Sequence, residues 1–262
     1  MIETAAIAFS PEGIPWSAAF GDIYHTSDGG LGQIEHVFMA GNGLPLRWRN
    51  RGSFTILETG FGLGLSFLAT WHAWRHDPQR GDKLRFISVE KYPFAPADLE
   101  RLHRDWPQFA ELSAQLVAAW PPLVEGQHEL VLDAGRVTLT LLLGDALEQL
   151  PRLTAQADAI YLDGFAPSKN PAMWSRQLFA ELARLAAADC TLATWTVAGQ
   201  VRRDLQAARF TVAKTRGFGG KRQMLAGRKI SYKSITYKTS TAAPCTCPCR
   251  NAASASLACS SG

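Results

Sequence analysis

Apolar residues in this chain arrive in short blocks, and from residue 53 onward their spacing is that of alternating strands and helices. SFTILE (53–58) is a β-rich apolar run, and TGFGLG (59–64) breaks it with three glycines. LSFLATWHAWRH (65–76) follows as a predicted helix with apolar residues on most faces, and LRFISVE (84–90) as a second strand ending on an acid. PADLERLHRDW and FAELSAQLVAAW, between 96 and 120, predict helical segments with prolines at natural starts and stops. HELVLDAGRVTLTLLLGD (128–145) holds two β-branched runs around Asp133-Ala134-Gly135, a hairpin signal. DAIYLD (158–163) predicts a strand, PAMWSRQLFAELARLAA (171–187) an amphipathic helix, CTLATWT (190–196) a strand and AGQVRRDLQAA (198–208) a short helix. FTVAKTRG and KRQMLAGRK, within 210–229, predict a closing pair of strands. The fold class that follows is α/β: a doubly wound, mostly parallel sheet with an antiparallel closing pair. Residues 231–262 are rich in Ser, Thr, Ala and Cys without apolar periodicity, and are expected to be a disordered, low-complexity tail behind a folded domain of residues 1–230.

Composition fits a folded domain and adds an asymmetry. The 262 residues are 47% hydrophobic, enough for one large core or two small ones. Residues 200–262 hold 12 of the 27 basic residues and one of the 23 acids, Asp204, so that end is strongly basic and the remainder acidic. Such a division points to a polyanionic partner at the basic end, against the plainer reading of a solvated tail, because the charges begin inside folded-looking sequence at Arg202-Arg203. The opening MIETAAIAFSPEG has no basic region followed by an apolar run, and no stretch approaches the roughly 18 apolar residues of a membrane span. A soluble, cytoplasmic protein is the default expectation. Cys190 stands alone, and Cys245, Cys247, Cys249 and Cys259 crowd the tail without the paired spacing of zinc sites. His72 and His76 are an i, i+4 pair with no carboxylate spaced to complete a metal site, so no metal is expected.

Candidate chemistry gathers at predicted strand tips, where open α/β sheets bind ligands. Glu58, Glu90 and Asp163 each end a strand, and Asp145 follows the hairpin's second run. Gly60, Gly62 and Gly64 let the backbone turn tightly and approach a ligand. A dinucleotide loop wants G-x-G-x-x-G/A, and Leu65 occupies the final position. S-adenosylmethionine suits the pattern better: an acidic first strand, a glycine loop, Glu90 for the ribose hydroxyls and Asp145 for the adenine amine. Asp163, in YLDGFAPSKNP (161–171), is an Asx-turn residue in the plain reading, Asp-Gly being a common turn pair. Beside a sulfonium it would instead hold an incoming amine and accept its proton. Phe165 and Pro167 offer apolar surfaces for a planar base and Lys169 a phosphate contact.

The runs ETGFGLGLSFL, FISVEKYP, DAGRVTLTLLLGD, LDGFAPSKNPAMW, TLATWTVAGQVRRDLQAARF and GFGGKRQML occur in order and resemble the methyltransferase domain of the bifunctional tRNA 5-methylaminomethyl-2-thiouridine biosynthesis protein family. DIYHTSDGGLGQIEHVFMAGNGL resembles its N-terminal segment, and the likeness spans roughly residues 9–228. The resemblance implies a class I methyltransferase fold, S-adenosylmethionine as donor, and methylation of the aminomethyl group of a tRNA wobble uridine. It implies Asp163 as the catalytic acid, and puts Gly60, Gly62, Gly64 and Glu90 on cofactor motifs. The anticodon loop would then be the partner, its phosphates gripped by Arg202, Arg203, Lys214, Arg216, Lys221 and Arg222. No flavin-binding domain is expected, since nothing after Arg228 resembles a second glycine-rich βαβ unit. The rival expectations are a non-catalytic tRNA-binding module, an N-methyltransferase for another amine, and a nicotinamide-dependent oxidoreductase, which Leu65 disfavours.

Overall fold

Strands buried on both faces read as unbroken apolar runs, and those runs form the centre of the sheet. The structure, a computed structural model, describes residues 2–11, 13–25 and 30–230; the expected tail at 231–262 lies outside them. Three short strands, β1 (Ala8–Phe9), β2 (Pro15–Ser17) and β3 (Asp22–Ile23), pair antiparallel in a small sheet. Helix α1 (Gly30–Gln33) then runs into a π-helical segment (Ile34–Met39) and two 3₁₀ turns (Ala40–Asn42, Leu46–Trp48). Next come β4 (Ser53–Thr59), α2 (Leu65–His76), β5 (Lys83–Glu90), α3 (Pro96–His103), α4 (Ala110–Ala118), β6 (Gly126–Leu132) and β7 (Val137–Leu143). The chain continues through α5 (Ala146–Gln149), β8 (Ala157–Leu162), α6 (Arg176–Leu185), β9 (Ala186–Thr194), α7 (Gly199–Ala207), β10 (Phe210–Arg216) and β11 (Gln223–Lys229).

The main sheet has eight strands in the order β10-β11-β9-β8-β4-β5-β7-β6. Strands β9, β8, β4, β5 and β7 are parallel, and β6 returns antiparallel beside β7 as the hairpin signal predicts. The closing pair is antiparallel too, but β11 is inserted between β9 and β10 rather than added at the edge. Alternation along the central strands feeds two cores. Phe54 and Ile56 of β4 join Phe86 of β5 in one, under α2, α3 and α4, while Leu57, Ile87 and Ile160 join the other, under α6 and α7. The chain passes from β4 to β5 on one side and later to β8 on the other. Its winding therefore reverses at β4, where a crevice opens beyond the strand ends.

One helix is corrected and one helical stretch is added. The helix predicted over 171–187 is split: Pro171–Trp174 is a 3₁₀ turn, and α6 starts only after Ser175, whose hydroxyl caps it by accepting from the Leu178 amide at 3.2 Å. Its predicted end, Ala186-Ala187, belongs to β9. The helical stretch over 30–48 carries no strong sequence period and was not predicted. It is fixed to the sheet by buried Asn42, which donates to the Phe38 and Ile160 carbonyls at 2.8 and 3.2 Å and accepts from the Thr191 hydroxyl at 2.7 Å.

Candidate active site

A cavity of about 640 Å³ occupies the crevice. Its floor is the pair of loops after β4 and β8, which nearly touch: a Cβ on Gly60 would lie 3.6 Å from the Gly164 Cα. Gly60, Gly62 and Gly64 all have positive φ, at 88°, 54° and 74°, so the loop needs residues free of the left-handed penalty. Their roles differ. Gly60 and Gly62 line the cavity, whereas Gly64 does not; it precedes α2, and a Cβ there would stand 2.6 Å from the Phe61 ring.

The four predicted acids separate into distinct environments. Glu90, at the tip of β5, lines the cavity and pins the glycine loop: Oε2 accepts from the Gly62 amide and Oε1 from the Tyr92 amide, both at 2.8 Å. Burial raises its pKa against those backbone donors. Asp145 caps α5 through the Leu147 amide (2.9 Å) and pairs with the Lys91 ammonium (2.9 Å). Burial opposes the effect, but the lysine and the amide hold its carboxyl below the usual range. Each Asp145 oxygen accepts one bond from the protein and keeps a lone pair for a ligand, while the Lys91 amide also favours the charged Glu90. Glu58 corrects the expectation of cofactor contact. It lies fully buried outside the cavity lining, accepting from the Ser88 hydroxyl at 2.7 Å, and burial pushes its pKa well above the usual range.

Asp163 lines the cavity. The plain Asx-turn reading needs a bond from the amide two residues on; instead Oδ1 accepts from the next amide, Gly164, at 2.8 Å. The same oxygen accepts from the Trp195 indole N–H at 3.1 Å, and no described residue bonds to Oδ2. Burial raises its pKa to about 6, against the opposing Gly164 and Trp195 bonds and the nearby Lys221 charge. The loop carrying it is tied down from both sides. Thr59 Oγ1 accepts from the Asp163 amide and donates to its carbonyl, and Asp22 Oδ2 accepts from the Ala166 amide at 2.8 Å.

Aromatic rings roof this end. Phe165 stacks on Phe20, centroids 4.6 Å apart, and meets Tyr24 edge-on at 5.2 Å. Phe20, Asp22 and Tyr24 come from the N-terminal small sheet, and together with Trp195 they are the site residues that sequence reasoning missed. Their signal is slight: β3 has two residues, and Trp195 sits in an apolar run that reads as core. The predicted phosphate grips are scattered. Arg202, Arg203, Lys169, Arg222 and Lys221 are all exposed; the first four lie outside the cavity lining, while Lys221 stands at the cavity with its Nζ 3.9 Å from the Trp195 ring centroid.

A family model described as an S-adenosyl-L-methionine-dependent methyltransferase matches residues 107–230. The chain is 61% identical over 229 residues to the tRNA 5-methylaminomethyl-2-thiouridine biosynthesis bifunctional protein MnmC of Azoarcus sp. strain BH72, and 59% identical over 227 residues to that of Aromatoleum aromaticum. Each alignment covers 87% of this chain and 36% of the relative, so the chain spans about a third of the length of these curated proteins. Among solved structures it resembles MnmC2 from Aquifex aeolicus, at 25% identity and a TM-score of 0.67, covering 86% of this chain and 70% of that one. Sheet order, glycine loop and strand-tip acids are those of a class I S-adenosylmethionine-dependent methyltransferase fold. Within that class, the chain is similar along most of its length to one region of the MnmC proteins.

Proposed function

We propose that this chain methylates the aminomethyl nitrogen of a tRNA wobble uridine, turning a 5-aminomethyl-2-thiouridine into its 5-methylaminomethyl form in the cytoplasm. The observation that carries the reading is Asp163: a cavity-lining carboxylate with one oxygen saturated by two N–H donors and the other open, under a roof of aromatic rings. The residues along the rest of the cavity fit the donor. Gly60 and Gly62 admit close backbone approach, Glu90 accepts at the tip of β5 for the ribose hydroxyls, and Asp145 lines the same cavity for the adenine amine. When bound, S-adenosylmethionine supplies a methyl on a positively charged sulfur, which keeps the C–S electron pair as the new N–C bond forms.

The protein's own work is orientation and proton handling. The open Oδ2 of Asp163 accepts an N–H from the amine and so turns its lone pair toward the methyl. After transfer the nitrogen is a secondary ammonium, and Asp163 receives its proton before passing it to water. Phe165 and Phe20 offer π-faces for the uracil. Arg202, Arg203 and Arg222, exposed and away from the cavity, serve as contacts to anticodon-loop phosphates.

The test incubates the protein with labelled S-adenosylmethionine and tRNA bearing an aminomethyl wobble uridine. Label should enter that nucleoside, and Asp163→Asn should lower the rate by a factor on the order of 10²–10⁴ while donor binding stays near wild type. Label on another amine, or full turnover by the variant, would overturn the reading.

A further inference from the structure

A carboxylate beside an amine favours the ammonium, the form that cannot attack. An Asp163 acting alone would bind the acceptor in its unreactive state. The cavity contains a counterweight. Lys221 sits in the turn between β10 and β11, and that turn is held firmly: its own amide donates to the Phe218 carbonyl and the Gly217 amide to the Arg222 carbonyl, both at 3.1 Å. His36 Nε2 donates to the Arg216 carbonyl at 2.9 Å, and the Phe218 ring fills the space above Gly32, where a Cβ would lie 2.5 Å from it. So anchored, Lys221 places its ammonium 3.9 Å from the centroid of the Trp195 ring, the same indole whose N–H bonds to Asp163 Oδ1.

We propose that Lys221 is a positioning residue that keeps the acceptor amine neutral: its charge, held over Trp195, cancels the pull of Asp163 on a proton of the incoming nitrogen. The inference rests on the amine-methylation reading and assigns Lys221 to charge control inside the site rather than to a phosphate. The charged groups facing it are few. Asp163 follows β8, and Asp22 comes from β3 and is engaged with the Ala166 amide. Glu58 is close enough to feel the Asp163 charge, and burial favours its neutral acid. Trp195 and Phe165, the rings beside them, carry no charge. Burial lowers the Lys221 pKa while the two aspartates raise it. The indole face stabilises the cation without neutralising it, as a carboxylate partner would. A quaternary cation has no proton to lose and no lone pair to gain from this arrangement, so the device acts only on amines that can give up a proton.

The experiment measures single-turnover methylation at saturating tRNA and donor from pH 6 to 10 for wild type, Lys221→Met and Lys221→Arg. Methionine keeps the aliphatic stem and removes the charge. The expected result is a Lys221→Met rate reduced roughly tenfold near neutral pH and recovered at high pH, its upper apparent pKa moved up by about one unit, with Lys221→Arg close to wild type. A Lys221→Met profile parallel to wild type, with weaker tRNA binding and a salt slope reduced by about one, would overturn the proposal in favour of a phosphate contact. A second arm needs no substrate: thermal midpoints of Asp163→Asn, Lys221→Met and the double variant at pH 7.5. Additive effects would refute coupling of the two charges, whereas non-additivity supports it even if wild-type protein fails to methylate this tRNA, which would instead sink the functional reading.

Discussion

At the scale of the residue, Asp163 shows how a site acid is held at a cost to the fold. Its carboxyl has a pKa near 6 in the folded protein, raised by burial above the ordinary value of 3.8. The folded state therefore binds more protons than the unfolded chain between those values, and stability falls as pH rises through that window. Asparagine keeps an oxygen for the Gly164 and Trp195 donors and removes the charge. Asp163→Asn should thus match wild type in stability near pH 3.5 and exceed it above pH 6.5, by on the order of 2 kcal/mol, as read by urea titration at each pH. A constant difference across pH would show the carboxylate is not desolvated. Much of this residue's setting was visible in the sequence: an acid ending an apolar run, then glycine. What the sequence hid was the indole. Trp195 is one more apolar letter in CTLATWT until β8 and β9 are known to be neighbours, and pairing partners are not written in a strand's own residues.

Among elements, the glycine loop is where local and functional demands meet. Gly64 has φ +74° and faces the Phe61 ring at 2.6 Å from a built Cβ; Gly135 has φ +83° with nothing within 4 Å. Gly135→Ala should cost about 1 kcal/mol, the left-handed penalty alone. Gly64→Ala should cost about 2–4 kcal/mol, since the ring must also move, and should weaken donor binding several-fold because the loop shifts with it. Equal losses for the two variants would remove Phe61 from the account. A buried histidine braces the same loop: His103 of α3 donates through Nε2 to the Leu63 carbonyl and takes the Ser113 hydroxyl at Nδ1, both at 2.7 Å. Elements with a clear signature were legible: the unbroken apolar run of β4, the long apolar block of α2 after its glycines, and the β6–β7 hairpin. The start of α6 was not. Pro171 and Ser175 are both good helix-start residues, and the choice fell to Ser175 because Asn170 and Pro171 are spent on the turn that follows the Asp163 loop. Very short strands such as β1 and β3 carry too few residues for any period.

For the whole molecule, charge is unevenly spread, with the basic residues concentrated after position 200 on α7, β10 and the turn before β11. In the tRNA reading, log affinity falls linearly with log salt, and replacing Arg202 and Arg203 together by Ala should weaken binding to all tRNAs alike and reduce that slope by about 1.4–1.8. An unchanged slope would assign those arginines to solvent. Doubly wound architecture was readable from the alternation of blocks, but the strand order was not, since pairing depends on which apolar faces meet in space. Among the described residues no helix is long and apolar enough to cross a membrane.

The insertion of β11 between β9 and β10 sets an order of events during synthesis. Residues 223–229 bond on both edges, to Thr191–Thr194 of β9 and to the whole of β10, so a nascent chain lacking them has a gap in its sheet rather than a missing rim. Lys221, which lines the cavity, lies two residues before that strand. A ribosome-bound chain that already displays the glycine loop, Glu90 and Asp163 is thus still without its full complement of charges around the acceptor. Competence for the proposed reaction therefore waits on β11, the strand that closes the gap between β9 and β10.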